Sequence, residues 1–401
     1  MDIHQRIKAW YTSTPVLRFA FGFLRNVIPV AVFGKTVFVT RYDDVADVLT
    51  RENDFTVHEI DGYKMEEMGN KFVLGMDASP ETTRDRDMLR QVIKREDLVF
   101  IKTFITEKAL EIITEASLIG EINIANGYAR LASVRLVAGY FGVTANEDDM
   151  MRWQRAIFNQ AFVNLSNDPE IKEVGTIAAH EIAAHLMQLI TERKAQTTPL
   201  ADNVLNRLIQ KQADNSWLDD DAVKRNILCI LGVVENTNKV VTHVMDQFLK
   251  RPEVLKKVKE AAMAFDSVTV RNYCFEALRF NPHNPAILRF CKNGAIIGKG
   301  TSHEKKIPAG STIYAATLGA MFDPKKVTKP KSFNPDRNVE YMHFGYGPHL
   351  CTGKYISETT VPELVAALLR LKNIKRAEGK AGQIQYDQLV FPDSLIVEFD
   401  L

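Results

Sequence analysis

The sequence carries no excess of charge of either sign, because 51 lysine and arginine residues balance 50 aspartate and glutamate residues. A general nucleic-acid-binding protein needs surplus positive charge to neutralise phosphates, so this class of protein is disfavoured. There is also no uninterrupted run of about 20 apolar residues, the length that a membrane-spanning helix needs. The fairly apolar stretch Pro15–Val32 contains Arg18 and Arg25, and Pro29 falls near its end. We therefore expect neither nucleic acid nor membrane among the partners.

Cysteine is scarce, and no two cysteines form a CxxC pair. Four cysteines are too few for a disulfide scaffold in a chain of 401 residues, and their spacing does not suit a zinc site. The first ten residues, MDIHQRIKAW, are polar and charged, unlike a secretory signal peptide. These features predict a reducing, cytoplasmic location. The four cysteines are Cys229, Cys274, Cys291 and Cys351.

Apolar residues make up 46% of the chain and charged residues 25%, which is typical of a globular protein and excludes a disordered one. Length alone allows two or three domains. Two strands, Ile28–Phe33 and Thr36–Thr40, are predicted to form a hairpin through Gly34-Lys35, and helical periodicity then dominates up to Phe280. The predicted helices are Tyr42–Arg51, Pro80–Ile93, Phe100–Leu118, Gly127–Phe141, Asp148–Leu165, Glu170–Lys194, Asp220–Leu249, Pro252–Ala264, Thr269–Phe280 and Cys351–Leu371. Later strands are predicted at Ala286–Phe290, Thr312–Ala315 and Ser394–Phe399.

The segment 281–350 is rich in proline, glycine and asparagine, and irregular stretches of this length in compact enzymes are usually functional. It leads into Phe344-Gly-Tyr-Gly-Pro-His349-Leu-Cys351-Thr-Gly353. The glycines predict a turn that presents Cys351 at the N-terminus of helix Cys351–Leu371, where backbone N–H groups and the helix dipole stabilise a thiolate. Gly353 lacks a side chain and would let a flat ligand approach the backbone. A lone cysteine before a helix is usually a packing residue, but here its neighbours stand at fixed offsets.

This stretch resembles the haem-binding loop of the cytochrome P450 superfamily, F-x-x-G-x-[H/R]-x-C-x-G, at every position. The resemblance implies haem b (iron protoporphyrin IX), with Cys351 as thiolate ligand to iron, His349 at a propionate, Phe344 near the sulfur and Gly353 beside the cofactor. It implies a mainly α fold with a small β portion, and haem between the central long helix and the helix that follows the cysteine. Because the matched motifs are spread along the chain, we expect a single haem-thiolate domain over residues 1–401, similar to soluble bacterial members.

Two further motifs agree with this resemblance. Glu276-Ala-Leu-Arg279 matches the family's E-x-x-R, and residues three apart share a helix face, so a buried ion pair is expected. Phe333-Asn-Pro-Asp-Arg337 resembles the segment whose arginine joins that pair. Taken alone, E-x-x-R is weak, because an exposed pair is commoner; its position 75 residues before Cys351 gives it value.

The resemblance also assigns two arginines to the haem propionates. Arg289, in Ile287-Leu-Arg-Phe290, stands at a position that reaches a propionate in the family. Arg86 matches an arginine of the family's C helix, but Thr82 stands four residues earlier, where histidine is usual. We therefore expect Arg86, and not Thr82, to contact the haem.

The predicted central helix Asp220–Leu249 departs from the family's [A/G]-G-x-[D/E]-T-[T/S], since it reads Gly232-Val-Val-Glu235-Asn236-Thr237. The resemblance makes Glu235, Asn236 and Thr237 the catalytic candidates. An asparagine amide donates a hydrogen bond but does not readily pass on a proton, as the usual threonine hydroxyl does. Thr237 lies ~100° further round the helix. Asn236 is either tolerated, with water relaying protons, or it marks an enzyme that takes its oxygen from a hydroperoxide.

The implied function is monooxygenation of a small or medium organic molecule by dioxygen, with electrons from a separate redox partner. No nicotinamide- or flavin-binding segment is visible, so a ferredoxin or flavodoxin with its reductase is expected unless peroxide drives the reaction. Two alternatives stay open: a hydroperoxide-using peroxygenase or isomerase, and a haem protein that binds a ligand without turnover. Four lysines before Cys351 are either a docking site for the acidic partner or a solvated loop. They are Lys325, Lys326, Lys329 and Lys331.

By the same resemblance, the substrate pocket is roofed by His58–Leu74, Asp148–Leu165 and Glu170–Lys194. The apolar side chains of the first two segments predict an apolar or amphipathic substrate, although an aromatic stripe is more often core than pocket. These side chains are Met65, Met68, Phe72, Phe158, Phe162 and Val163.

Overall fold

The computed structural model describes residues 13–69, 71–387 and 390–400. The prediction about the first ten residues therefore concerns a segment outside the described residues. The helices are α1 Thr14–Val27, α2 Tyr42–Thr50, α3 Tyr63–Glu67, α4 Pro80–Val92, α5 Leu98–Ala116, α6 Leu131–Leu136, α7 Glu147–Phe158, α8 Pro169–Ala195, α9 Val204–Lys211, α10 Asp220–Ile230, α11 Val233–Leu249, α12 Pro252–Met263, α13 Ser267–Phe280, α14 Thr317–Ala320 and α15 Lys354–Leu369. Short π-helical turns extend α6 on both sides (Ile124–Arg130 and Val137–Phe141) and continue α7 (Asn159–Val163).

The strands are short. They are β1 Val30–Phe33, β2 Thr36–Val39, β3 Glu121–Asn123, β4 Ile287–Cys291, β5 Ala295–Ile297, β6 Lys305–Ile307, β7 Ser311–Ala315, β8 Lys372–Arg376, β9 Gln385–Tyr386, β10 Pro392–Ser394 and β11 Ile396–Asp400. The predicted class, mainly α with a small β portion, is confirmed. In the described part of the chain, no helix is both long and apolar enough to cross a membrane.

One compact unit consists of Met1–Ile60 and Asn272–Cys351. Its four-stranded sheet has the order β1-β2-β7-β4, in which β2 pairs in parallel with β7 and the other pairs are antiparallel. Strands β1 and β2 form the predicted hairpin through Gly34, whose φ of +60° suits glycine. The β-branched side chains of Val37 and Val39 are fully buried on the core face of the sheet. A second hairpin, β5–β6, belongs to the same unit.

The other compact unit consists of Asp61–Arg271 and Thr352–Leu401 and is mainly helical. Within it α5 packs on α15 and α7 packs on α8. Strand β11 lies between β3 and β8, and β9 pairs with β10 in a hairpin. The Asp219 carboxylate accepts a hydrogen bond from the Ala222 amide at 2.8 Å, so Asp219 caps α10.

The prediction of one continuous central helix over Asp220–Leu249 is wrong. The segment consists of two helices, α10 and α11, with a break at Leu231-Gly232. At the break the Leu231 amide donates to the Leu228 carbonyl at 3.3 Å, a bond of the tighter i→i+3 kind. The φ of Gly232 is −55°, which any residue adopts. Packing explains this glycine, because a Cβ there would lie 2.5 Å from Cζ of Phe158.

Candidate active site

Residues 344–353, the cysteine loop, fold into a tight turn with one 3-10 turn at Gly347–His349. Gly345 and Gly347 have φ values of +81° and +70°, which side-chain-bearing residues rarely adopt. The Cys351 amide donates a hydrogen bond to the Phe344 carbonyl at 2.9 Å and closes the loop. The predicted glycine turn is confirmed, and it fixes the backbone of Cys351.

The prediction that Cys351 begins a helix is wrong. Helix α15 begins at Lys354, and Gly353 is its N-cap residue. The Ser357 amide donates to the Gly353 carbonyl at 2.9 Å, so the helical bonds start two residues after the cysteine. The backbone of Gly353 (φ −82°) is open to any residue, so conformation does not explain the glycine. Close approach of a flat ligand at Gly353 stays a prediction.

We expect Gly347→Ala to destabilise the fold by about 2–3 kcal/mol. The substitution adds a Cβ to a residue of positive φ and places it 2.9 Å from both the Leu49 carbonyl oxygen and Thr50 Cγ2. Gly300→Ala is the matched control, because its φ is +77° but no atom lies within 4 Å of its Cβ. The control is expected to lose about 1 kcal/mol, from backbone strain alone. Equal losses of unfolding free energy in urea would contradict close packing at Gly347.

Cys351 differs from the other three cysteines in exposure. Cys274 and Cys291 are fully buried and Cys229 is 7% exposed, whereas Cys351 is partly exposed. None of the four cysteines forms a disulfide. Burial raises the pKa of the Cys274 and Cys291 thiols, which keeps both protonated at neutral pH. The prediction that Cys229, Cys274 and Cys291 are packing residues agrees with their burial, whereas Cys351 is the one cysteine that is not buried.

The predicted ion pair of α13 is confirmed and is completely buried. Glu276 and Arg279 are both 0% exposed, and Arg279 Nε and Nη2 donate to the two carboxylate oxygens at 2.9 and 2.7 Å. Arg337 Nε donates to Glu276 Oε1 at 3.1 Å, as the resemblance implied. Two donors not foreseen from the sequence complete the shell, the Asn334 amide at 2.8 Å and the Tyr341 hydroxyl at 2.7 Å. We call these five residues the Glu276 cluster.

The predicted propionate-binding residues occupy separate elements. Arg289 lies in β4, is 7% exposed, and donates from Nη1 to the Leu288 carbonyl at 2.8 Å. His349 lies in the cysteine loop, with Nε2 3.7 Å from Oε2 of Glu52. Arg86 is half-buried on α4.

Thr82 takes part in the cap of α4. It is fully buried, its hydroxyl donates to the Asp77 carbonyl at 2.6 Å, and its amide donates to Ser79 Oγ at 3.1 Å. These bonds explain a threonine at this position and support the expectation that Thr82 does not serve as a haem contact.

Glu235, the acid of the central motif, is fully buried between two arginines. Arg130 Nε lies 2.6 Å from Oε1, and Arg155 Nε donates to Oε2 at 2.8 Å. Arg155 Nη1 also donates to Asp387 at 3.1 Å and to Asp393 at 2.9 Å. Both oxygens of Glu235 thus face guanidinium groups, and a buried carboxylate held in this way is poorly placed to carry protons elsewhere. This arrangement favours a structural role for Glu235.

Asn236 is the polar residue of the motif with an unused acceptor. Its Oδ1 is buried and has no hydrogen-bond partner among the described residues. Both Asn236 and Phe158 lie beside Gly232. A Cβ built on Gly232 would be 3.7 Å from Asn236 Nδ2 and 2.5 Å from Phe158 Cζ. The amide therefore neighbours the Phe158 ring. Thr237 is 3% exposed on the same helix, α11.

A small apolar cavity lies beside Phe158. Its volume is ≈ 20 Å³, about the room that one water molecule needs. Four predicted pocket residues share its wall, whereas Met65 is a core residue, 1% exposed, and neither it nor Val163 belongs to the lining. The lining residues are Met68, Phe72, Leu74, Gln154, Ile157, Phe158, Phe162, Ala179, Leu228 and Cys229.

The chemistry of these side chains fits a haem. Cys351 offers a partly exposed thiol for iron, and Arg86, Arg289 and His349 offer N–H donors for the anionic propionates. The buried, unpartnered Oδ1 of Asn236 is the kind of atom that a bound ligand satisfies.

Comparison with known protein families and sequences identifies relatives of this chain. The family model Cytochrome P450 matches residues 32–396. Psi-producing oxygenase A of Emericella nidulans is 22% identical over 394 residues, which cover 87% of this chain and 36% of that protein. The chain thus spans about a third of the length of such fungal relatives. A cytochrome P450 of Bacillus subtilis is 22% identical over 371 residues, covering 90% of this chain and 86% of the relative.

The fold agrees with this match. The crystal structure of CalO2 superimposes with a TM-score of 0.83 at 20% identity, covering 97% of this chain and 98% of that one. A likeness at that identity shows the fold alone, whereas the family model spans most of the sequence, including the cysteine loop. The chain belongs to the cytochrome P450 family.

Proposed function

We propose that this protein is a haem-thiolate monooxygenase that oxidises a small or medium apolar molecule with dioxygen and electrons from outside. The observation that carries the proposal is the cysteine loop, which holds a partly exposed Cys351 by its bond to the Phe344 carbonyl. The family implies haem, and we propose haem b as its type. We also propose that residues 1–401 form a single haem-thiolate domain, so calorimetry of the holoprotein is expected to give one cooperative transition.

Cys351 is the proposed iron ligand, and Arg86, Arg289 and His349 would hold the propionates, with Gly353 leaving room for the cofactor. A haem bound through a thiolate supplies the chemistry that cleaves an O–O bond. Phe344 would stand near the sulfur, and its ring lies 5.7 Å from that of Phe275, which limits its movement.

Asn236, Glu235 and Thr237 are proposed to work on the distal side in different ways. Asn236 would hold an oxygen atom of the oxidant through its amide N–H. Glu235 would keep α11 in place through Arg130 and Arg155. Thr237 stays a candidate for proton relay, because it is the residue of the motif that carries a hydroxyl. The apolar cavity wall would exclude water and bind the substrate.

Electrons are proposed to come from a ferredoxin or flavodoxin with its reductase, in the cytoplasm. The four lysines of the segment 325–331 are exposed, as both a docking site and a solvated loop require. An apolar substrate also agrees with a structural relative, P450BioI, which was solved with acyl carrier protein ligated to hexadec-9Z-enoic acid (TM-score 0.82, 18% identity).

A second candidate is a hydroperoxide-using peroxygenase or isomerase. Asn236 favours it, because a substrate that already contains an O–O bond needs a hydrogen-bond donor and no proton relay from the usual threonine. The two ion pairs of Glu235 with Arg130 and Arg155 also favour this second candidate, because a carboxylate held in this way is poorly placed to relay protons. Among the relatives is a bifunctional dioxygenase–epoxy alcohol synthase of Pyricularia oryzae. It is 22% identical over 397 residues, which cover 87% of this chain and 34% of that protein.

The two functions are separated by the oxidant that the holoenzyme uses. Product is measured with NADPH, ferredoxin, reductase and dioxygen, and separately with a fatty hydroperoxide and no reductant. Product from the reductant system alone supports the monooxygenase. Loss of hydroperoxide without reductant, at a higher rate than any reductant-driven product, supports the second candidate. Absence of product in both supports a haem protein that binds a ligand without turnover.

We expect Asn236→Thr to increase reductant-driven turnover about tenfold and to decrease hydroperoxide turnover by a similar factor. The threonine hydroxyl can relay a proton, but it loses the amide N–H that would hold a peroxide oxygen. Asn236→Ala is the control, because it removes the amide without adding a hydroxyl and is expected to slow both reactions. A gain in both reactions on Asn236→Thr would contradict the assigned role.

A further inference from the structure

Gln154 places an amide in the wall of the apolar cavity. It lies on α7, is 3% exposed, and shares the wall with Ile157 and Phe158 of the same helix. Every other described lining residue is aliphatic, aromatic or sulfur-containing. A polar group in such a wall lowers the stability of the empty fold unless it is hydrogen-bonded, so its partner decides its role.

The hydrogen bonding of this amide is incomplete. Nε2 donates to Met150 Sδ at 3.9 Å, and a thioether is a weak acceptor. Oε1 accepts no hydrogen bond from the residues that the structure describes. Gln160, the next glutamine along the chain, differs from Gln154 in this respect, because its Oε1 accepts a hydrogen bond from Asn164 Nδ2 at 2.7 Å. The Gln160 oxygen thus has a donor, whereas the Gln154 oxygen retains its capacity to accept a hydrogen bond.

The cavity defines what can use that capacity. The described lining residues include no charged side chain, so a carboxylate or ammonium group would be buried without a counter-charge. Oε1 needs a donor, and Nε2 can leave the weak sulfur contact for a better acceptor. A hydroxyl supplies both a donor and an acceptor, and the ≈ 20 Å³ of space matches a group the size of water.

We infer that Gln154 is a specificity-determining residue that selects apolar substrates carrying one uncharged hydroxyl group, an inference that rests on the proposed function. The hydroxyl takes the place beside Oε1, and the apolar body enters as Met68 and the neighbouring phenylalanine rings rotate. Methionine suits such a wall, because its unbranched side chain adapts to different shapes.

The test uses the holoenzyme and three probes: 4-phenylbutan-1-ol, its methyl ether and butylbenzene. Calorimetric titration and the haem absorbance shift both measure binding. The wild-type protein is expected to bind the alcohol roughly 3- to 10-fold more tightly than the ether and the hydrocarbon, the range of one net hydrogen bond. In Gln154→Met the preference is expected to fall below about twofold, with the affinity for butylbenzene retained.

Ile157→Met is the matched control, because it changes the same wall without removing an amide, and the alcohol preference is expected to persist. If Gln154→Met does not fold, Gln154→Leu is measured in its place, with thermal unfolding as the check. An equal preference for the alcohol in the wild type and in Gln154→Met would overturn the inference. That result is expected if the Gln154 amide binds only a water molecule and not the substrate. The carbon monoxide spectrum of the same preparations tests the proposed function separately, since the calorimetric preference does not depend on thiolate ligation.

Discussion

Cys351→Ser is expected to remove the red-shifted Soret band of a thiolate-ligated haem from the carbon monoxide difference spectrum. Turnover should fall by at least about 100-fold, since a serine hydroxyl does not give iron the electron density of a thiolate. The fold should survive, because the bond that closes the cysteine loop runs from the backbone amide of residue 351 to the Phe344 carbonyl. The measurements are the difference spectrum, haem content and turnover of the purified variant.

Cys291→Ala is the matched control for this experiment. Cys291 is 0% exposed in β4, so its loss is expected to cost about 1 kcal/mol of stability and to leave the spectrum unchanged. A thiolate band that persists in Cys351→Ser, or disappears in Cys291→Ala, would contradict the assignment of Cys351 as the iron ligand.

The parts of the site that lie close together in sequence were predictable. Gly345 and Gly347 of the cysteine loop predict a tight turn, and their positive φ values are allowed by the absence of a side chain. The i,i+3 spacing of Glu276 and Arg279 likewise places both on one face of α13. Local geometry determines both features, so the sequence contains the information for them.

Contacts between distant segments were not predictable in the same way. Arg130 and Arg155 lie 105 and 80 residues before Glu235, and no local pattern links them. The available signal is Glu235 itself, because an acid within a buried helical segment requires a cation from elsewhere. That signal indicates that a partner exists without identifying it. Gln154 gave no signal at all, since only the packed structure shows that its amide faces apolar side chains.

Helix ends were the least predictable local feature. The sequence predicts that α15 starts at Cys351, but the loop hydrogen bond uses the Cys351 amide and the helix begins only at Lys354. The glycine at the break between α10 and α11 is explained by Phe158, which is far away in sequence and fills the space beside Gly232. A glycine in a helical pattern does not by itself indicate a break.

Glu276→Gln is expected to destabilise the protein by about 3–5 kcal/mol, the largest effect on stability among these variants. The substitution preserves the shape of the side chain but leaves Arg279, which is 0% exposed, without its counter-charge. Arg279 cannot simply turn to solvent, since its Nη1 also donates to the Pro330 carbonyl at 2.7 Å. The amide introduced by the substitution would also present N–H groups where the wild-type carboxylate accepts from the Tyr341 hydroxyl.

Acid unfolding provides an independent measure of the same cluster. Burial opposes ionisation of Glu276, but its hydrogen bonds and charge interaction with Arg279 outweigh this, and the pKa of Glu276 lies below its usual value. A lowered pKa in the folded state gives stability that is fully present above the ordinary pKa of glutamate and is lost as pH falls through the lowered value. Wild-type stability should therefore decline more steeply in acid than that of Glu276→Gln.

The control for Glu276→Gln is Asp87→Asn, which removes an exposed i,i+3 ion pair on α4. Asp87 and Arg90 are 2.8 Å apart, with 54% and 69% of their side chains exposed. Solvent screens such a pair, so the expected loss is about 0.5 kcal/mol or less. Urea unfolding at neutral pH compares the two variants directly. Similar losses in both would contradict the conclusion that burial, and not the i,i+3 spacing, makes the Glu276 cluster a main support of the unit that contains it.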